Sequence, residues 1–324
     1  MNRKKSGAKM ELVKQFEEGQ LQAQKVENLE EAFFSFVDVK EKSEATYRKG
    51  LKNFFAFINE RGITSPTRPD ILAYKDHLKA EGLKATSIKT YLSSVKAFFS
   101  WASSELGTLN PTKGVKAPTL SRDFKKMNLS AEQAKALLEN ASQKKTLEGL
   151  RNYAILRLLI TTGLRTIEVS RALVEDLRPH GEYMALYVLG KGKDEKGDFV
   201  KVGGKTLEAL QAYLKARGPV KGSEPLFASS GISSTGKGSG EPLRTESLSR
   251  IVKNALKASG FNSPYLTAHS LRHTCATLNL LNGGSLEETR QLLRHSSINT
   301  TLIYSHHLDR EKNESEARIE SALN

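Results

Sequence analysis

Between residues 107 and 127 the chain, GTLNPTKGVKAPTLSRDFKKM, loses all hydrophobic periodicity. Two prolines, two glycines and a recurring positive charge make this linker composition. Such a break rules out one continuous core. It divides the 324 residues into two parts, each long enough to bury a core of its own.

The part before the break, residues 28–106, reads as a small all-helical unit. SEATYRKGLKNFFAFINERG predicts a helix capped by Ser43 and closed at Gly62, with Tyr47, Leu51, Phe54, Phe55 and Ile58 on one stripe. KATSIKTYLSSVKAFFSWASSEL repeats the pattern with Ile88, Tyr91, Leu92, Val95, Phe98 and Phe99 inward, leaving Lys84, Lys89 and Lys96 off the stripe. Shorter helices near 29–39 and 69–80 complete a bundle. The aromatics follow the buried periodicity, which makes them core. Residues 1–27 are expected to form a flexible basic segment.

After the break, residues 128–308 mix helices with a small hairpin. Ser130 with Gln133 and Ser285 with Glu288 read as capping boxes. LEGLRNYAILRLLITTG is a strongly apolar helix ending at Gly163, and EYMALYVLG and DFVKV read as two strands around the turn KGKDEKG. Helices follow near 205–217, 245–259, 269–282, 285–294 and 298–306. SSGISSTGKGSGE, residues 229–241, is too polar and glycine-rich to pack and is expected to be a mobile loop. Residues 309–324 form a charged tail with a narrow apolar edge.

Lys and Arg number 50 against 36 Asp and Glu, for a formal charge of +14 and a pI near 9.6. That excess favours a polyanionic partner, nucleic acid before membrane. Cys275 is the single cysteine, so no disulfide framework exists, and a small core residue in a reducing cytosol is expected. No apolar run approaches the roughly 20 residues of a membrane span, and MNRKKSGAKM lacks an apolar signal core, so a cytoplasmic location is expected.

Four stations carry chemistry: TTGLRTIEV with Arg165 and Glu168, LGKGKDEKG with Lys191, HSLRH with His269 and Arg272, and LLRHSSINTTLIYSHH with His295 and Tyr304. His269, Arg272 and His273 fall at i, i+3 and i+4, on one face of a helix. His269 and His273 have the spacing of zinc ligands, yet the glutamate of H-E-x-x-H is missing and no cysteine or carboxylate cluster adjoins them, so no metal site is expected. The inventory suits phosphoryl transfer. Two guanidinium forks match phosphate oxygens, histidines donate further bonds or take a proton, a turn lysine protonates a leaving oxygen, and a tyrosine attacks.

In chain order and spacing these stations resemble the tyrosine recombinase family of phage integrases and Xer-like proteins. Its pattern of arginine, lysine, H-x-x-R, a His or Trp, and a tyrosine nine residues on is matched by Arg165, Lys191, His269, Arg272, His295 and Tyr304, with Glu168 at a supporting acidic position. Two departures stand out. Arg294 occupies a position where that family commonly has glycine, and Lys193 and Lys196 compete with Lys191 for the acid's role.

The resemblance implies a mainly α fold with a small β-sheet: an N-terminal helical, SAM-like core-binding domain, and an α/β catalytic domain, closing as a C-clamp on DNA. It implies a site-specific recombinase that cuts and rejoins strands through a 3′-phosphotyrosyl link and a Holliday junction, in integration and excision or in dimer resolution. Neither metal nor cofactor is called for, and the implied partners are a double-stranded recombination site and further copies of the chain, four on paired sites. Lys84, Lys89, Lys96, Lys113, Lys116, Lys125 and Lys126 are the expected backbone-contacting lysines, the last four as a strap along the phosphates. A type IB topoisomerase, a junction nuclease and a catalytically silent DNA-binding regulator are the alternatives.

Overall fold

The structure is a computed structural model that describes residues 23–39, 41–119, 127–190, 195–229, 240–305 and 315–323. Lys125, Lys126, Lys191, Lys193 and most of the expected N-terminal segment and 229–241 loop lie outside the described residues. The chain forms two compact units, residues 1–123 and 124–324.

The first unit contains four described helices: α1 (Ala23–Phe36), α2 (Glu41–Glu60), α3 (Arg68–Ala80) and α4 (Ala85–Leu106). The expected stripes meet in one core, where Phe33, Phe54, Phe55, Phe98, Phe99 and Trp101 pack largely edge to face at centroid separations such as 5.4 Å for Phe55–Phe98. Helices α2 and α4 meet tightly at Gly50, where a Cβ would sit 2.5 Å from Ser94 Oγ. Glycine in mid-helix is what permits that crossing. Ser43 is not a cap, because α2 already begins at Glu41.

The start of the expected linker is folded. Val115 is buried in the helical core, and the Asn110 side chain accepts from the backbone N–H and hydroxyl of Thr112. Lys96, expected to face DNA, instead donates its ammonium to the Val115 carbonyl and is half-buried. A polar contact 19 residues away in sequence is invisible to periodicity.

The second unit opens with α5 (Ala131–Ser142) and α6 (Leu147–Thr162). Ser130 caps α5 reciprocally with Gln133. Helix α6 is apolar on nearly every side, and Ile155, Leu156, Leu158 and Leu159 are fully enclosed by the surrounding elements. At roughly 1.5–3 kcal/mol for each such side chain, this helix anchors the unit. Gly163, left-handed at φ 60°, ends it.

A short helix α7 (Thr166–Ser170) and a 3-10 turn (Val174–Asp176) lead into an antiparallel sheet of β1 (Leu177–His180), β2 (Tyr183–Val188) and β3 (Asp198–Val202), in that order. The β2–β3 pairing runs from Met184 opposite Val202 to Val188 opposite Asp198. Strand β1 was not expected, since Pro179 and its polar neighbours Arg178 and His180 suppress the pattern; an edge strand tolerates proline's missing donor. Then come α8 (Gly204–Arg217), α9 (Thr245–Ala258), α10 (Ala268–Leu281), α11 (Leu286–Leu293), α12 (Asn299–Ser305) and α13 (Ser315–Leu323). Backbone bonds between Ser229 and Glu241 and between Gly240 and Ser229 close the ends of the 229–241 segment. No described helix is long and apolar enough to cross a membrane.

Candidate active site

Helix α10 carries the H-x-x-R station. Its first residues are held by Thr267 and Ser270 in reciprocal capping, which sets the angle of His269 and Arg272 just beyond. Arg272 does not share an open face with His269. It is buried, and its two terminal nitrogens donate to the carbonyls of Gly163 and Leu293 at 2.5 Å each. These two carbonyls close α6 and α11, so two helix ends fix the guanidinium in place. Burial, then the nearby Arg165 and Arg294, bring its pKa down to about 10, which still leaves it cationic at neutral pH.

Tyr304 lies on α12 and is 2% exposed. Its ring is parallel to that of His295, 6.3 Å away, and edge-on to that of His273 at 5.0 Å. His273 is in turn edge-on to the exposed His269 at 4.7 Å. Burial raises the phenol pKa; the charge of Arg272, a hydrogen bond from it, and the charge of Arg165 pull the other way. These are the interactions a phenolate would need.

His295 is anchored twice. Its Nδ1 lies 3.0 Å from Thr301 Oγ1, and its carbonyl accepts from Arg290. Burial first, then Arg272, Arg165, Arg294 and His269, depress its pKa to about 4, so the imidazole is neutral at pH 7. Thr301 was not singled out in the sequence, and His273, placed there on one helix face with His269 and Arg272, was given no catalytic role. Thr301, three residues before Tyr304, shares a helix face with it, which is the only signal the sequence offers.

Arg165 sits at the N-cap of α7, where both its backbone N–H (2.7 Å) and its Nη1 (2.9 Å) donate to Glu168. The Glu168 side chain is fully buried and also receives Nη2 of Arg294 at 2.9 Å. A buried carboxylate with two arginine partners and a backbone donor is well satisfied. Arg294 itself ends α11 with φ 54° and ψ 48°. That left-handed conformation costs a residue bearing a Cβ about 1–2 kcal/mol.

Arg165, Glu168, Arg272, His295 and Tyr304 therefore converge, with His269 at the exposed edge. Lys196 is not available as a leaving-group acid, because its ammonium is bound 2.6 Å from the buried Asp176. Cys275 is buried on α10 and burial pushes its thiol up to about 12, as expected of a core residue. Among the described residues no group of three or more His, Cys, Asp or Glu is arranged to hold a metal ion. Lys84, Lys89, Lys113 and Lys116 are exposed on the first unit.

Residues 127–311 match the phage integrase family, and residues 32–105 match its N-terminal SAM-like domain. The chain belongs to the phage integrase family. Within it, the chain is a tyrosine-type site-specific recombinase similar to the tyrosine recombinase XerD of Listeria monocytogenes serotype 4b (strain F2365), 30% identical over 266 residues that span 80% of this chain and 86% of the relative. The fold is shared with the site-specific recombinase XerH bound to palindromic difH substrate in a post-cleavage complex, at TM-score 0.69 and 21% identity over 86% of this chain and 80% of that one. It is also shared with a lambda integrase tetramer bound to a Holliday junction, at TM-score 0.62 and 22% identity over 86% and 75% of the two chains. The topoisomerase and silent-regulator alternatives find no support in these relatives.

Proposed function

We propose that this recombinase acts in the cytoplasm, as a tetramer on two paired double-stranded DNA sites, through a 3′-phosphotyrosyl intermediate and a Holliday junction. Arg165 and Arg272 bind the non-bridging oxygens of the scissile phosphate, with His269 and His295 as further donors. Tyr304 Oη forms the new bond to phosphorus while the bond to the 5′-oxygen breaks. The phenol proton passes to a neutral imidazole of the site, and Lys191 supplies a proton to the departing 5′-oxygen. Attack by the 5′-hydroxyl of the partner duplex reverses these steps. The number of phosphodiester bonds is conserved, so no external energy source is consumed.

The observation that carries this reading is the meeting of Tyr304 with Arg272 and His295, three side chains from separate elements gathered at one point. Arg165→Ala and Arg272→Ala variants, assayed on duplex carrying a site selected from a randomised library, test it. Each should lose strand cleavage while retaining most of its DNA affinity, because affinity is spread over many cationic contacts. Cleavage at the wild-type rate in either variant contradicts the phosphate clamp.

A further inference from the structure

Every left-handed residue among the described positions is a glycine, with the exception of Arg294. A helix stop of this shape is what glycine provides most readily, so an arginine here is retained for its side chain. That side chain is 10% exposed and aimed inward. Nη1 donates to the Leu292 carbonyl, Nη2 to Glu168 Oε2, and Nε is buried with no partner among the described residues.

Glu168 divides its oxygens between two arginines. Oε1 takes Nη1 of Arg165, and Oε2 takes Nη2 of Arg294 together with the Arg165 backbone N–H. Without Arg294, one oxygen of a fully buried carboxylate would keep a single backbone donor, and the guanidinium of Arg165 would be the only cation left in direct contact with it, Arg272 acting on it through charge alone. Arg165 would then turn both of its terminal nitrogens onto Glu168. With Arg294 in place, Arg165 commits one terminal nitrogen, stays 30% exposed, and shows no other side-chain partner among the described residues.

We propose that Arg294 is a positioning residue for strand cleavage, holding Glu168 through its second oxygen so that Arg165 keeps an uncommitted guanidinium edge for the scissile phosphate. This rests on the assignment of Arg165 to that phosphate. Arg294 touches no DNA in this scheme and acts through Glu168 alone.

The test is single-turnover cleavage by wild type, Arg294→Gly, Glu168→Gln and the double variant, with duplex affinity measured in parallel. Arg294→Gly suits the backbone and should cleave roughly tenfold or more slowly, with little change in DNA affinity, as supporting residues around a reactive centre commonly do. The double variant should be no slower than Glu168→Gln, because the two residues act in one chain of contacts. Millimolar guanidinium should restore part of the Arg294→Gly rate and leave the wild type unchanged. Arg294→Lys keeps the charge without the fork and should fall between. Wild-type cleavage by folded Arg294→Gly overturns the proposal, as do fully additive effects with Glu168→Gln. Where Arg294→Gly is too unstable to assay, a wild-type rate in Arg294→Lys overturns it. An Arg165→Ala variant that cleaves normally would instead remove the underlying reading, and the two failures are told apart by that control.

Discussion

Gly163 links the fold to the site, and its replacement by alanine has consequences that can be worked out from its surroundings. The residue is left-handed at φ 60°, which costs an alanine about 1–2 kcal/mol. An added Cβ would stand 2.5 Å from Leu293 Cδ2 and 3.2 Å from Cys275 Sγ, an overpacking that adds about 1–3 kcal/mol. The sum is about 2–5 kcal/mol, or a fall in Tm of roughly 4–20 °C for a unit of this size. Gly181, at the β1–β2 turn, supplies the internal control: its φ is 59°, and nothing lies within 4 Å of its Cβ position. Gly181→Ala should cost only the backbone term. The clash in Gly163→Ala also pushes on both carbonyls that anchor Arg272, those of Gly163 and Leu293. Cleavage should therefore fall in Gly163→Ala, measured well below its Tm, and remain at the wild-type level in Gly181→Ala. Calorimetry and single-turnover cleavage read the two effects separately. Equal loss of stability in the two variants would refute the packing argument, and normal cleavage by a folded Gly163→Ala would refute the link to Arg272.

The depressed pKa of His295 makes stability depend on pH in a definite direction. The unfolded chain binds a proton at about 6.5 that the folded one resists to about 4, so stability falls as pH drops through that window, by at most about 1.4 kcal/mol per pH unit. Denaturant titrations at pH 7, 5.5 and 4.5 should show a shallower decline in His295→Gln, and parallel declines would contradict the burial assigned to this imidazole. DNA affinity should fall linearly in log–log form with salt, and removal of any one of the exposed Lys84, Lys89, Lys113 or Lys116 should lower that slope by about one. Lys96→Ala should leave the slope unchanged, because its ammonium is held by the Val115 carbonyl; a lowered slope would return it to the DNA-facing set.

What the sequence disclosed and what it concealed divide along contact range. The stripes of α2 and α4, the capping boxes at Ser130 and Ser285, and the helix stop at Gly163 are local, and periodicity and capping chemistry expose them. The order of Arg165, His269, Arg272, His295 and Tyr304 was legible because family resemblance supplies the missing third dimension. The orientation of those residues was not. The i, i+3, i+4 spacing put Arg272 beside His269, whereas two carbonyls, 109 and 21 residues away, draw it into the interior. The pairing of Arg294 with Glu168 spans 126 residues, and only the oddity of an arginine in glycine's place pointed to it. Lys96 and Lys196 looked like spare cations because a carbonyl and a carboxylate some 20 residues away leave no trace in composition. The four-residue β1 escaped because a proline outweighs so short a pattern.

The decisive measurement is the point of covalent attachment. A nicked duplex that loses a short strand on cleavage traps the enzyme on DNA, and proteolysis with mass spectrometry locates the modified residue. Attachment through Tyr304 Oη to a 3′-phosphate is expected, with no covalent complex in Tyr304→Phe even though that variant still binds DNA. Attachment at another residue, or a covalent complex that persists in Tyr304→Phe, would contradict the assignment of this tyrosine as the nucleophile.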